Sequence, residues 1–213
     1  GELNQPGLDY LKKGVDNLAR HIDNLKNQFG LPVCVAVNAF PTDTKEEMDC
    51  LLDLCRAQGV PCALSEVFAK GGQGGVKLAK TVLSILEDRP IQYTYPLEMP
   101  LKEKIEAVAR KIYRASGVAY EPAAEKQLAE IEAMGYQNLP VCIAKTQYSF
   151  SDDPKLLSAP EGFELHVRQV RLSAGAGFVV VICGSIMTMP GLPKHPAAEN
   201  IDVDADGKII GLF

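Results

Sequence analysis

Tryptophan is missing from this sequence, and so is any C-x-x-C pair. The missing Trp excludes nothing by itself. The missing Cys pair does. With no His beside Cys34, Cys50, Cys55, Cys62, Cys142 or Cys183, a zinc site has no ligand set. Cys34, Cys142 and Cys183 lie inside apolar runs, where Cys behaves as a small hydrophobe. All six are read as reduced thiols of a cytoplasmic protein. There is no cluster of Lys or Arg, and the net charge is −5. Nucleic acid and anionic membranes are therefore not expected partners. No apolar run has the length that a bilayer demands. No charged-then-apolar leader opens the sequence, so no secretory signal is read. The histidines His21, His166 and His195 are scattered. None has a Ser or Cys nucleophile nearby in sequence, so a hydrolase triad has no support.

What is present is ordinary globular composition: 213 residues, 46% hydrophobic and 23% charged. That suits one large domain or two small ones, with enough chain to bury a core without staples. Leu8, Leu11, Val15, Leu18, Ile22, Leu25 and Phe29 alternate at spacings of three and four, which predicts a helix ended by Gly30 and Pro32. "PVCVAV" is a Val-rich run that suits a strand covered on both faces. Thr44 with Glu47 forms a capping box opening a helix from about Lys45 to Gln58, closed by Gly59. "VPCALSEV" reads as the next strand and "GVKLAKTVLSILE" as the next helix. This alternation implies crossovers and a parallel sheet.

"RPIQYTYPLEMP", with Pro90, Pro96 and Pro100, reads as a linker. Beyond it, Leu101, Ile105, Val108 and Ile112 mark a helix with Gly117 as its stop, and a second helix runs from Pro122 to Gly135. "LPVCIAK" and "FVVVICGSIM" are further strands. "LPVCIAK" echoes "LPVCVAV", as two parallel strands of similar composition would. "FELHVRQVRLS" alternates to Val167 and then slips phase to Val170 and Leu172, which a β-bulge near Arg168 explains. "TMPGLPKHPAAEN" is a Pro-rich loop, and "IDVDADGKIIG" a hairpin with an Asp-Gly turn.

"SEVFAKGGQGGVKLAK" places four glycines between a strand and a helix, where proteins often hold phosphate. Walker A spacing requires a Lys followed by a hydroxyl. Here Gly75 is followed by Val76, Lys77 and Leu78. Gly-Gly-Gln-Gly-Gly does not fit the dinucleotide fingerprint either. Two readings stand: a flexible turn, or a ligand-facing loop at the C-terminal end of a parallel strand. Phe40 in "NAFPTDT" and Phe68 occupy equivalent loops after the two strands. If the strands are adjacent, both rings open into one crevice and suit a flat aromatic ligand; the alternative is an apolar plug over the sheet end. "KTQYSFSDDP" reads either as Ser/Asx turns capping a short helix from Pro154 or as a polar wall at a third strand end. "DVDADG" has only half of an EF-hand loop, and the twelfth position falls on Phe213, so calcium is rejected.

Taken together, "NAFPTDT", "ALSEVFAKGGQGG", "AKTQYSFSDDP", "VRLSAGAGF" and "IMTMPGLPKHPAAENIDVDADGKIIGLF" resemble the formate–tetrahydrofolate ligase family, also called formyltetrahydrofolate synthetase. The likeness runs along nearly the whole chain. It implies an α/β fold: a parallel-sheet, Rossmann-like three-layer portion over 1–89, a linker over 90–100, and a smaller α+β subdomain with a C-terminal hairpin over 101–213. Family members join formate to tetrahydrofolate with Mg-ATP through formyl phosphate, helped by potassium or ammonium. The bacterial enzymes are cytoplasmic homotetramers.

The family's Walker-type phosphate loop and its catalytic groups lie in an N-terminal portion that has no counterpart here. The chain is therefore expected to be a C-terminal fragment whose partner is the remainder of its own enzyme. By motif, Phe40, Pro41, Leu64 and Phe68 would line the pocket that stacks folate or nucleotide rings, with Lys70 and Gly72 beside them. No metal ligands are expected. Phe68 stands where the bacterial pattern usually has Trp, which puts ring selectivity in question. The competing reading is a non-catalytic structural or assembly module. A dinucleotide-binding domain is disfavoured by the glycine spacing.

Overall fold

Leu11, Val15, Leu18 and Ile22 give α1 (Leu8–Asp23) one apolar stripe, and Ile22 at its end is buried. The computed structural model describes residues 7–186 and 194–211. The helix runs on as a π-turn over Asn24–Gln28 before Gly30, at φ 68°, releases the chain. β1 (Val35–Asn38) follows, then α2 (Lys45–Ala57) and β2 (Cys62–Ser65). The expected capping box is present: the Glu47 amide donates to the Thr44 hydroxyl, and the Thr44 amide donates to the Glu47 carboxylate. Amides of Gly7 and Thr44 together hold the Glu47 carboxyl below its ordinary range.

β1 and β2 are parallel neighbours, with Val35 opposite Cys62 and Val37 opposite Leu64. Those four side chains share one face with Ile22, Leu51, Leu52 and Cys55. The other face carries Ala63, fully buried, and Ser65, with α4 (Val76–Ile85) packed against β2. The sheet is thus layered between helices on two sides. The expectation that the first strand is covered on both faces fails for β1, because Ala36 and Asn38 are exposed. α4 packs mainly on β2.

Residues 86–100 carry no helix or strand. The second assembly then builds on a mixed four-stranded sheet in the order β3 (Gly117–Tyr120), β5 (Glu164–Ser173), β6 (Phe178–Cys183), β4 (Val141–Ala144). β3 is parallel to β5 and β4 to β6, while the central pair is antiparallel. α5 (Leu101–Lys111) and α6 (Pro122–Ala133) cover one face, with Leu101, Ile105, Leu128 and Ile131 packed on Leu165, Val167, Val179 and Val181. The register jumps between Val167 and Gln169, which leaves Arg168 without a partner. That is the bulge the sequence phase predicts. Val170 turns inward after it, and its amide is held at 2.8 Å by the Gln127 side chain.

Two further sequence expectations need correction. Gly117 does not stop α5; the helix ends at Lys111 and Gly117 opens β3. Arg114 makes the turn between them at φ 61°. No helix starts at Pro154; residues 154–156 form a turn. The C-terminal hairpin is present as β7 (Asp202–Val203) and β8 (Ile209–Ile210), turned through Gly207 at φ 78°. The expected strand end at Met187, much of the Pro-rich loop, and Leu212-Phe213 fall outside the described residues. Among the described residues no helix is long and apolar enough to cross a membrane.

Candidate functional site

Parallel neighbours send their next loops out from the same edge of a sheet. The loop after β1 covers residues 39–44, and the chain after β2 forms a single helical turn, α3 (Val67–Lys70), followed by a 3₁₀ turn over Gly71–Gly75. The Ala39 amide donates to the Ser65 carbonyl at 3.0 Å, so the two loops diverge from one hydrogen bond. Phe40 is 52% exposed and Phe68 79% exposed. An apolar plug would be buried; these rings stand at the surface. Leu64 is half-buried on β2 and packs against the cluster of Ile22, Val35, Val37 and Cys55, while Pro41, Lys70 and Gly72 are exposed. All six residues therefore lie at the C-terminal end of the same strand pair.

Lys70 is engaged: its ammonium lies 2.6 Å from Glu66 Oε1, one helical turn earlier. The glycines divide by role. Gly71 adopts φ 56°, ψ −148°, a conformation open to glycine alone. A Cβ on Gly74 would lie 2.3 Å from the Glu66 carbonyl oxygen, so glycine there permits a close backbone approach. The Glu66 amide also donates to the Gly74 carbonyl at 3.1 Å and closes the loop. Gly72 meets nothing within 4 Å. Of the residues that shape these two loops, Asp43 is the one that the sequence reading passes over. Its signal is an Asp three residues after Phe40, closing a Pro-containing turn.

The loop beginning "KTQYS" is a buried turn network. Thr146, Ser149, Phe150, Ser151 and Asp152 are all buried. Lys145 donates to the carbonyls of Thr146 and Ser149, and burial lowers its pKa. Ser149, Ser151 and Asp153 close successive turns with their side chains. Asp152 fixes the loop to β5 by accepting from the His166 amide at 3.1 Å, with His166 Nδ1 also at 3.1 Å. These contacts support the turn reading over a polar wall.

The cysteines separate by environment. Cys55 and Cys183 are buried, and burial pushes the Cys62 and Cys183 thiols up to about 12. Cys142, expected as a small hydrophobe inside its strand, is exposed. It alternates outward on β4 while Val141 and Ile143 turn to the core. A cavity of about 850 Å³ lies elsewhere, lined by Phe29, Tyr93, Tyr95, Leu97 and Lys111, and none of the six site residues borders it. Among the described residues no group of three or more His, Cys, Asp or Glu side chains is placed to hold a metal ion.

The strand-end loops thus present aromatic faces, backbone turns and one paired Lys–Glu couple. That equipment suits holding a planar group. A family model described as formate–tetrahydrofolate ligase matches residues 1–213, the full length of the sequence given. This chain belongs to the formate–tetrahydrofolate ligase family.

Proposed function

We propose that residues 1–213 supply the ring-stacking wall of an ATP-dependent ligase that joins formate to tetrahydrofolate. The reaction gives 10-formyltetrahydrofolate, ADP and phosphate through formyl phosphate. One observation carries the assignment to this part of the molecule: Phe40 and Phe68, both largely exposed, leave adjacent parallel strand ends. Each ring stacked on a pterin or adenine contributes about 1 kcal/mol beyond its buried area. Phe40, Pro41, Leu64 and Phe68 form the wall, with Lys70 and Gly72 at its rim. Residues 1–89 form part of the parallel α/β domain, 90–100 the linker, and 101–213 the second subdomain.

Transfer through an acyl phosphate depends on placing the amine of the folate against the formyl carbon, and on clamping phosphate charge. This chain serves the first need, because a stacked ring has one plane and little freedom. It lacks Walker A spacing. The phosphate clamp, Mg-ATP coordination and the potassium or ammonium site are assigned to the remainder of the enzyme chain. The working molecule is a cytoplasmic homo-oligomer, a homotetramer by family.

A second reading, an assembly module, has its own support. α4 has no buried residue, and Leu83 and Leu86 are 67% and 64% exposed. Titration calorimetry of the chain with tetrahydrofolate and with ATP, run beside size-exclusion chromatography, separates the two. Heat of binding from either ligand, with no formate-dependent ATP consumption, is the expected result. An oligomer with no affinity for either ligand would favour the assembly reading.

A further inference from the structure

Phe40, Pro41, Thr42 and Asp43 form a closed turn. The Asp43 amide donates to the Phe40 carbonyl at 3.0 Å. In return the Phe40 amide donates to Asp43 Oδ2 at 2.8 Å. Pro41 at the second position pre-sets φ for such a turn. Phe40 is thus held at both backbone polar groups by one residue, and its side chain leaves a backbone that cannot rotate freely. The next residue, Thr44, is the N-cap of α2, so the turn is anchored to a helix start on one side. On the other it is anchored to β2 through the Ala39–Ser65 bond. Asp43 is half-buried, and with Asn38, Glu47 and Leu11 it lines a small cavity of about 210 Å³ beneath the turn.

From this geometry we infer that Asp43 is the positioning residue for the Phe40 ring, acting through the Phe40 amide and touching no ligand itself. The inference rests on the wall reading above. A charge-assisted bond from a carboxylate to an amide is stronger than a neutral one. Here it fixes the backbone from which the ring leaves, and so the direction in which the ring is presented. Asp43 is spent on the backbone of its own turn, so its role is to remove conformations that Phe40 would otherwise sample before a planar ligand arrives.

The test uses the complete ligase carrying Phe40→Ala, Asp43→Ala and Asp43→Asn, with steady-state kinetics in tetrahydrofolate and in ATP. Hydrogen exchange at the Phe40 amide is followed in the same proteins. Phe40→Ala identifies the substrate that uses the wall, as the one whose KM rises. Asp43→Ala should raise that same KM roughly threefold to tenfold, change kcat less than about twofold, and speed Phe40 amide exchange at least about fivefold. Asp43→Asn, whose amide oxygen can accept the same N–H, should restore most of both effects. If Phe40→Ala raises a KM and Asp43→Ala does not, the inference on Asp43 is overturned while the wall stands. If Phe40→Ala changes neither KM, the wall itself fails. Equal losses in Asp43→Ala and Asp43→Asn would overturn the inference that Asp43 acts by holding the Phe40 amide.

Discussion

The Ala39 amide and the Ser65 carbonyl, 3.0 Å apart, tie β1 and β2 together where both strands end. Phe40 is one residue beyond this bond and Phe68 three residues beyond it. Neighbouring strands lie about 4.8 Å apart. The bond therefore fixes how far apart the two aromatic loops begin, before either side chain is considered.

Phe68 is the more exposed of the two rings, at 79%, so it has the most area left to give to a ligand. Phe68→Ala in the complete enzyme should weaken the pterin- or adenine-bearing substrate by about 1 kcal/mol or more, roughly a fivefold rise in KM. Phe68→Trp should shift the same constant the other way, since an indole offers a larger stacking face. Unchanged KM values for both folate and ATP in Phe68→Ala would remove this residue from the wall.

Two glycines, four and six residues after Phe68, should behave oppositely. Gly74→Ala places a methyl 2.3 Å from the Glu66 carbonyl oxygen, a backbone atom that can move only if the loop opens. Overpacking of this kind costs about 1–3 kcal/mol. The displaced loop should also weaken ring binding. Gly72→Ala meets open space and should change stability by less than about 0.5 kcal/mol. Urea unfolding of the two variants side by side checks the contrast. Equal stabilities would mean that the Glu66–Gly74 contact is not a constraint.

The same residues show what a sequence displays and what it hides. The bulge at Arg168 was legible because a strand with one buried face must restore its phase after an extra residue, and the shift from Val167 to Val170 records that. The Thr44–Glu47 box was legible because its chemistry is local. β3 was hidden: Gly117, Val118, Ala119 and Tyr120 are all half-buried, so they leave no alternation, and a Gly after a helix reads as its stop. The rings were placed on strand-end loops by pattern alone. Whether those strands were neighbours depends on pairing across 27 residues (Val35 with Cys62), which only the register reveals. Asp43 was hidden for a different reason. An Asp before an N-cap Thr looks like ordinary turn composition until its carboxylate is seen to hold the Phe40 amide.

Lys104 offers a prediction in which packing and pH can be separated. Its side chain is fully buried. Its ammonium donates to the carbonyls of Gln137 at 2.6 Å and Leu139 at 2.9 Å, closing the loop between α6 and β4. Burial lowers its pKa from 10.5, partly opposed by Glu98 and Glu132. Lys104→Met keeps most of the buried stem but leaves two carbonyls without donors, and should cost about 1–3 kcal/mol near neutral pH. The pH dependence has a definite sign. Below the folded pKa both states hold the proton, and the burial cost is constant. Between the folded pKa and 10.5, the unfolded chain still holds the proton that the native state has released, so the native state gains stability as pH rises. A neutral amine retains two N–H groups, enough for both carbonyls. The stability gap between wild type and Lys104→Met should therefore widen as pH rises through that window and level off above it. Denaturant unfolding of both proteins across the alkaline range measures the gap directly. A gap that narrows with rising pH would mean that the charged ammonium, rather than its donors, is what the fold requires.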